Sequence, residues 1–300
     1  MKTSCVVLAV STIAVSAYAS AKFTDWSAPR HLGPVVNSPF NEFQPSISKD
    51  GLSLYFASDR LGTFGGLDLY VSHRTSSEEP WAAPINLGPV LNTQTDDQAP
   101  ALSRDGHYLF FSTNRLGGLG GLDIWISYRA RTHDDFAWEA PVPITEINSV
   151  VNDAGPSFFE NEEGRPQLYF NSLRLGGAGL ADIYLTELQD DGTWSPPTAV
   201  AELNTPFQEQ RPSVRFDGLE IVFGSTRPGS AAFDLWTSTR ESVTAAWSPP
   251  VPLVINTAGL DFQPGLSGGG MTLYFSSSRP GGVGSTDLWV STRQRRRGKE

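Results

Sequence analysis

Five carboxylates recur at one position of the sequence: Glu42, Asp97, Asp153, Glu209 and Asp261. Each stands five residues after an asparagine (Asn37, Asn92, Asn148, Asn204, Asn256) and three before a proline (Pro45, Pro100, Pro156, Pro212, Pro264). Five arginines recur with them. Arg60, Arg115, Arg227 and Arg279 follow the proline by 15 residues, and Arg174 follows by 18 because 160–166 carries an insertion. Carboxylates gathered at one place create a negative potential that draws a cation or a basic segment of a partner. The same side chains also cap backbone N–H groups or pair with arginine. The sequence leaves both uses open.

Glycoside hydrolysis needs a different arrangement, two carboxylates in unequal settings around one scissile bond. Acidic or basic residues peculiar to one copy are Asp59, Asp96, Glu146, Glu160 and Arg165, and none sits in a recognisable motif. His31, His73, His107 and His133 are not spaced as a metal site, and His-Glu-x-x-His is absent. No Gly-x-Ser-x-Gly elbow occurs. Asp134-Asp135 and Asp190-Asp191 read as solvated turns rather than a Ca²⁺ site, which needs six to eight oxygens. The sequence therefore names no catalytic residue, no metal ligand and no cofactor. Loop aromatics Phe43, Phe64, Phe207, Phe233 and Phe262 are of a type that stacks on sugars, but they do not recur at one position.

The elements that must position these residues are strands. A Trp soon followed by Pro recurs at Trp26, Trp81, Trp138, Trp194 and Trp247, in steps of 55, 57, 56 and 53 residues. Within the first copy, 45–48 reads as a short strand and Lys49-Asp50-Gly51 as a tight hairpin turn. Residues 54–58 read as an apolar strand, 60–67 as a Gly-rich loop and 68–72 as a third strand. The Trp-x-x-Pro stretch gives a weaker outer strand, where proline is tolerated. Four antiparallel strands in 50–60 residues form a propeller blade. The reading is all-β: a five-bladed β-propeller whose N-terminal strand completes the last blade beside Asp287–Thr292. With strands a to d running outward, the d–a and b–c loops share a face. The carboxylates fall before strand a and the arginines at the start of the b–c loops, so both sets are expected there. Asp68, Asp123, Asp182, Asp234 and Asp287, each in an Asp-[Leu/Ile]-[Trp/Tyr] triplet, are expected to cap the Gly-rich loops.

The repeat resembles the TolB-type, WD-like propeller repeat. The residues that carry the likeness run from Pro45-Ser-Ile-Ser-Lys-Asp-Gly to Asp59-Arg60, then Gly65-Gly-Leu-Asp-Leu-Tyr-Val71, and recur in four further copies. Copy three departs at its turn, Asn161-Glu-Glu-Gly164, and copy five has Gly268-Gly-Gly270 without Asp. The resemblance implies an exported protein-binding or scaffold module that acts through the d–a/b–c face. The carboxylate ring would be its partner site, with the loop arginines on the same face. A carbohydrate-binding or glycoside-hydrolase-like five-bladed propeller is the alternative.

Composition agrees with such a ring. Gly and Pro total 51 of 300 residues, which is turn-rich without low-complexity disorder, and charged residues are only 18%. Residues 1–21 read as a signal peptide: Lys2, an apolar run too short to span a bilayer, and small-residue cleavage sites at 17–21. The single Cys, Cys5, lies inside that segment, so residues 22–293, the propeller, hold no disulfide. The tail, 294–300, is basic and is expected to fray. Between Lys22 and Thr292 there are 16 Lys and Arg against 31 Asp and Glu, a net of −15, which offers no footprint for nucleic acid. The expected protein is a periplasmic or secreted monomer that binds an envelope or extracellular protein.

Overall fold

The computed structural model describes residues 23–162 and 164–296. The expected signal segment, 1–21, and residues 297–300 of the tail lie outside the described residues. Among the described residues, twenty strands form five four-stranded antiparallel sheets. β1 (Arg30–His31) comes first. Blade 1 is β2 (Glu42–Ile47), β3 (Ser53–Ser58), β4 (Asp68–His73) and β5 (Ile85–Asn86). Blade 2 is β6 (Asp97–Leu102), β7 (Tyr108–Thr113), β8 (Asp123–Tyr128) and β9 (Val142–Pro143). Blade 3 is β10 (Asp153–Phe159), β11 (Gln167–Ser172), β12 (Asp182–Glu187) and β13 (Thr198–Ala199). Blade 4 is β14 (Glu209–Val214), β15 (Glu220–Ser225), β16 (Asp234–Thr239) and β17 (Val251–Pro252). Blade 5 is β18 (Asp261–Leu266), β19 (Thr272–Ser277) and β20 (Asp287–Thr292), completed by β1.

Middle strands b and c are apolar on both faces because each blade is covered on both sides. Leu54, Phe56 and Tyr70 of blade 1 pack with Tyr274, Leu288 and Val290 of blade 5. Tyr55, Leu69 and Val71 of blade 1 pack with Leu109, Phe111 and Trp125 of blade 2. Three further clusters fill the remaining interfaces between blades. The hydrophobic core is thus five wedges between blades, and burying these side chains drives ring formation.

The outer strand is only two residues long in every blade. Prolines around the recurring Trp supply no N–H for a ladder, so that stretch contributes packing. Trp81, Trp138 and Trp247 are buried, and Arg74, Arg129 and Arg240 lie over their rings at 4.4, 4.3 and 4.2 Å. Arg293 is the blade 5 counterpart, 4.3 Å over Trp26 and 4.0 Å over Phe23, and it pairs with Glu220. The basic end of the chain therefore starts as part of a blade. Arg295 continues it in a bridge with Phe23.

Ring closure joins the chain ends as the repeat phase predicts. Arg30 pairs with Val290 and His31 with Trp289. Asn37 exchanges two hydrogen bonds with the backbone of Leu288, at 3.1 and 2.8 Å.

Every innermost strand carries one irregularity. The register shifts between Phe43 and Ser46, and at the same place in the other four blades. The residue before the proline takes a left-handed backbone: Gln44, Ala99, Arg211 and Gln263 at φ of 53–57°, Gly155 at 65°. Such bulges re-aim side chains, and here they turn one residue per blade into the mouth of the central channel. Below it the five prolines line the axis.

Candidate functional site

The five carboxylates are the first residues of β2, β6, β10, β14 and β18 and are each 0% exposed. Each binds the Ser or Thr four residues earlier. Ser38 donates to Glu42 from its backbone N at 3.0 Å and its Oγ at 2.5 Å. Thr257 does the same to Asp261 at 2.6 and 2.7 Å. Each also faces the arginine of its own blade, at 3.0 Å for Arg60–Glu42, 2.6 Å for Arg115–Asp97 and Arg174–Asp153, 3.2 Å for Arg227–Glu209 and 2.5 Å for Arg279–Asp261. The guanidiniums lie between two rings, as Arg279 does 4.8 Å over Phe275 and 5.3 Å over Trp289.

Burial pushes the Glu42 carboxyl above the ordinary glutamate range, although Ser38 and Arg60 pull it back. Burial likewise lowers Arg227, against the pull of Glu209. Glu42, Asp97, Asp153, Glu209 and Asp261 are thus rivets inside the blades, with no carboxylate surface turned to solvent. A partner-binding ring would need their charge exposed. Their arginines are consumed by the same contacts.

The Asp-[Leu/Ile]-[Trp/Tyr] residues cap the b–c loops as expected. Asp68 accepts from the N of Phe64 at 2.8 Å, and Asp123 from the N of Leu119 at 2.6 Å. Burial raises both carboxyls. Gly65 lies where a Cβ would stand 2.4 Å from the carbonyl oxygen of Thr95, so only glycine lets this loop meet the next blade.

The residues peculiar to one copy do not converge. Asp59 holds the backbone and side chain of Asn41, Asp96 holds the N of Leu67, and Glu160 holds the N of Arg104. Arg165 pairs with Asp190 at the surface.

Asp135, read from the sequence as a solvated turn, is bound to His73 at 2.7 Å. That bond raises the His73 pKa above 6.5, against burial and the nearby Arg129. A raised histidine adds stability that is fully present below its unfolded value and is lost as pH rises through the folded one. The half-open ring limits the term to about 1 kcal/mol or less. Urea unfolding of the wild type should therefore lose stability as pH rises from about 6.5 through the raised His73 value, and Asp135→Asn should remove that part of the slope.

Asymmetry appears at the channel mouth. The five left-handed positions carry Gln44, Ala99, Gly155, Arg211 and Gln263, and the residues before them are Phe43, Gln98, Ala154, Gln210 and Phe262. Blades 2 and 3 are small there. A Cβ on Gly155 would stand 2.6 Å from Arg211 Cδ. Through that gap Arg211 reaches across blade 3 to donate to Gln98 Oε1 at 3.1 Å. Gln44 donates to the same oxygen at 2.9 Å and accepts from the N of Ala99 at 2.5 Å.

Blades 4, 5 and 1 are aromatic instead. Phe262 meets Phe43 edge-on at 6.3 Å and lies 6.2 Å from Phe233. Phe233 comes from a b–c loop one residue shorter than the others, and Gly224 leaves room beside it. All three rings are half-buried, and Phe64 and Phe207 stand more exposed on the same face. The cavities in the channel, of about 60 and 30 Å³, have no carboxylate among their described lining residues.

The sequence signal for this mouth is the pair of variable residues before an unvarying proline. The recurring carboxylates are buried, and the asymmetric side chains lie where recurrence stops.

No protein-family model matches the sequence, and no curated protein sequence does. The fold is shared with solved structures. The chain is similar to the α-L-arabinofuranosidase PaAbf62A of Podospora anserina, crystallised with cellotriose, at TM-score 0.58 and 12% identity, over 91% of this chain and 98% of that one. It is similar to the endo-arabinase of Bacteroides thetaiotaomicron at TM-score 0.57 and 18% identity, over 88% and 98%. TolB of Acinetobacter baumannii aligns at TM-score 0.49 and 14% identity, over 87% and 56%. The first two likenesses agree with the propeller fold that the five sheets show. The expected protein-binding scaffold is corrected: its partner ring, Glu42, Asp97, Asp153, Glu209 and Asp261, is buried, and the structures that share the fold above a TM-score of 0.5 are glycoside hydrolases.

Proposed function

We propose that the chain is a carbohydrate-binding propeller that holds a glycan at its channel mouth without cleaving it. One observation carries this reading: three half-buried phenylalanines touch one another, and two of them, Phe43 and Phe262, are next in the chain to Gln44 and Gln263, which line the channel with Arg211. A sugar ring has faces of C–H groups that suit the negative face of an aromatic ring. It also has rims of hydroxyls that suit amides, which both donate and accept. The carboxylate pair of a glycosidase is missing from the described lining of the channel cavities. The α-L-arabinofuranosidase and endo-arabinase structures that share the fold support a sugar ligand, and arabino-oligosaccharides are the natural first probes.

The test is a glycan array followed by calorimetric titration. Binding is expected for the wild type, and Phe262→Ala should weaken it at least tenfold, about 1.4 kcal/mol. That variant should stay folded, because loss of the edge contacts removes roughly 1–2 kcal/mol. A reducing-end assay should detect no sugar release. Release of sugar, or silence across the array, would overturn the reading.

A further inference from the structure

Arg211 differs from the other arginines of the ring. Among the described residues it makes no ion pair, lies over no aromatic ring and donates from its side chain only to Gln98 Oε1. Its Nη1 is buried without a partner. Arg240 also lacks a carboxylate, but Trp247 lies 4.2 Å beneath it and the Gly218 carbonyl accepts its Nε at 2.6 Å. Desolvation holds Arg211 down to about 10, which still leaves it a cation at neutral pH.

Arg211 is half-buried with its Nη1 fully buried, and a cation so placed without a counterion is costly. The amide oxygen of Gln98 is already shared between Gln44 and Arg211. The Oε1 of Gln263 is a second buried group without a partner. Both face the same small cavity, lined by Gln44, Ala99, Gly155, Arg211, Gln263 and the five prolines, of about 30 Å³. One water needs roughly 10–15 Å³, so the space takes one or two waters or a single carboxylate, and a sugar ring must stay above it.

We propose that this cavity seats the carboxylate of an acidic sugar, a uronate, with Arg211 as its counterion and Gln263 accepting from a neighbouring ring hydroxyl. This rests on the carbohydrate reading and narrows it to charged sugars. A guanidinium has the flat fork that matches a carboxylate. An orphaned donor beside an orphaned acceptor fits a ligand that offers an anion and an O–H side by side. Phe262, next in sequence to Gln263, and Phe43, next to Gln44, are then placed for the ring. Gly155 is part of the device, since any side chain there would collide with Arg211.

D-galacturonate and D-galactose differ at one carbon, carboxylate against hydroxymethyl, and form the discriminating pair of probes. Calorimetry on the full chain should find galacturonate bound at least tenfold more tightly than galactose. Arg211→Gln should erase the difference, and Arg211→Lys should keep part of it.

Thermal unfolding gives an independent readout. Arg211→Gln should leave the ligand-free midpoint unchanged or raise it, because it removes a half-buried charge that has no counterion. Galacturonate at 20 times its dissociation constant should raise the wild-type midpoint by roughly 2–5 °C and leave the variant unmoved. Equal binding of the two sugars, or binding that survives Arg211→Gln, would overturn the inference while the carbohydrate reading stands. A response to sodium acetate equal to that to galacturonate would assign a plain anion site and overturn the uronate. Failure of both sugars while arabino-oligosaccharides bind would also overturn the inference alone. Silence of every glycan would remove both.

Discussion

Asp261→Ala is expected to destabilise the protein by about 3–5 kcal/mol, the usual cost of removing one partner of a buried ion pair. The change leaves Arg279 inside the blade with Ser277 Oγ and the Ile255 carbonyl as its remaining polar contacts. The Thr257 and Ser277 hydroxyls lose their acceptor as well. Such a loss is a large fraction of the 5–15 kcal/mol that holds a typical domain. Urea denaturation followed by circular dichroism measures it directly. The double replacement Asp261→Leu, Arg279→Met should recover much of the loss, since a buried pair exchanged for apolar groups of similar volume is often nearly neutral. A partner-binding ring open to water would respond differently: Asp261→Ala would stay within about 0.5 kcal/mol of the wild type. That result would return the carboxylates to the surface.

The second large effect is expected from the clasp. Deleting residues 23–32 removes β1, its pairing with β20, and the packing of Phe23, Trp26 and Leu32. Arg293 then loses both rings beneath it. Fully burying one large side chain is worth about 1.5–3 kcal/mol; Phe23 is buried and Trp26 and Leu32 are half-buried, so together they supply a large part of the stability of a domain. No disulfide within the propeller makes up for it, because the chain has one cysteine, Cys5. The truncated chain should lose its sharp cooperative transition, with blade 5 opening first. Hydrogen exchange should show β18, β19 and β20 deprotected while β10 and β11 keep their protection. Equal protection in all five blades would mean that the chain ends do not close the ring.

The five blades were legible in the sequence because the same physical demands recur five times: a turn glycine, an apolar middle strand, a capping Asp. Closure by the N-terminal strand followed from the phase of the repeat alone. The depth of the carboxylates was not legible, because loop topology fixes which face Glu42 and its counterparts approach but not whether Ser38 and Arg60 reach them first.

Arg293 was readable yet easily passed over. It stands six residues after Asp287, as Arg74, Arg129 and Arg240 stand after Asp68, Asp123 and Asp234, but it opens a basic run and so resembles a tail. The mouth was hidden for a stronger reason. A residue before proline is biased toward extended backbone, so nothing local announces that Gln44 or Arg211 adopts positive φ. The ring imposes that conformation, and with it the direction of the side chains that set this protein apart from a symmetric propeller.

The most direct measurement is a nitrogen-15 NMR titration of the full chain with a glycan found on the array. A ligand at the channel mouth should move the amides of Phe43, Gln44, Gln98, Phe262 and Gln263 and the side-chain Nε of Arg211, with the glycan recovered intact. Shifts confined to the opposite face, around Arg104 and Phe216, or a shortened glycan at the end of the titration, would contradict a mouth that binds sugar and does not cut it.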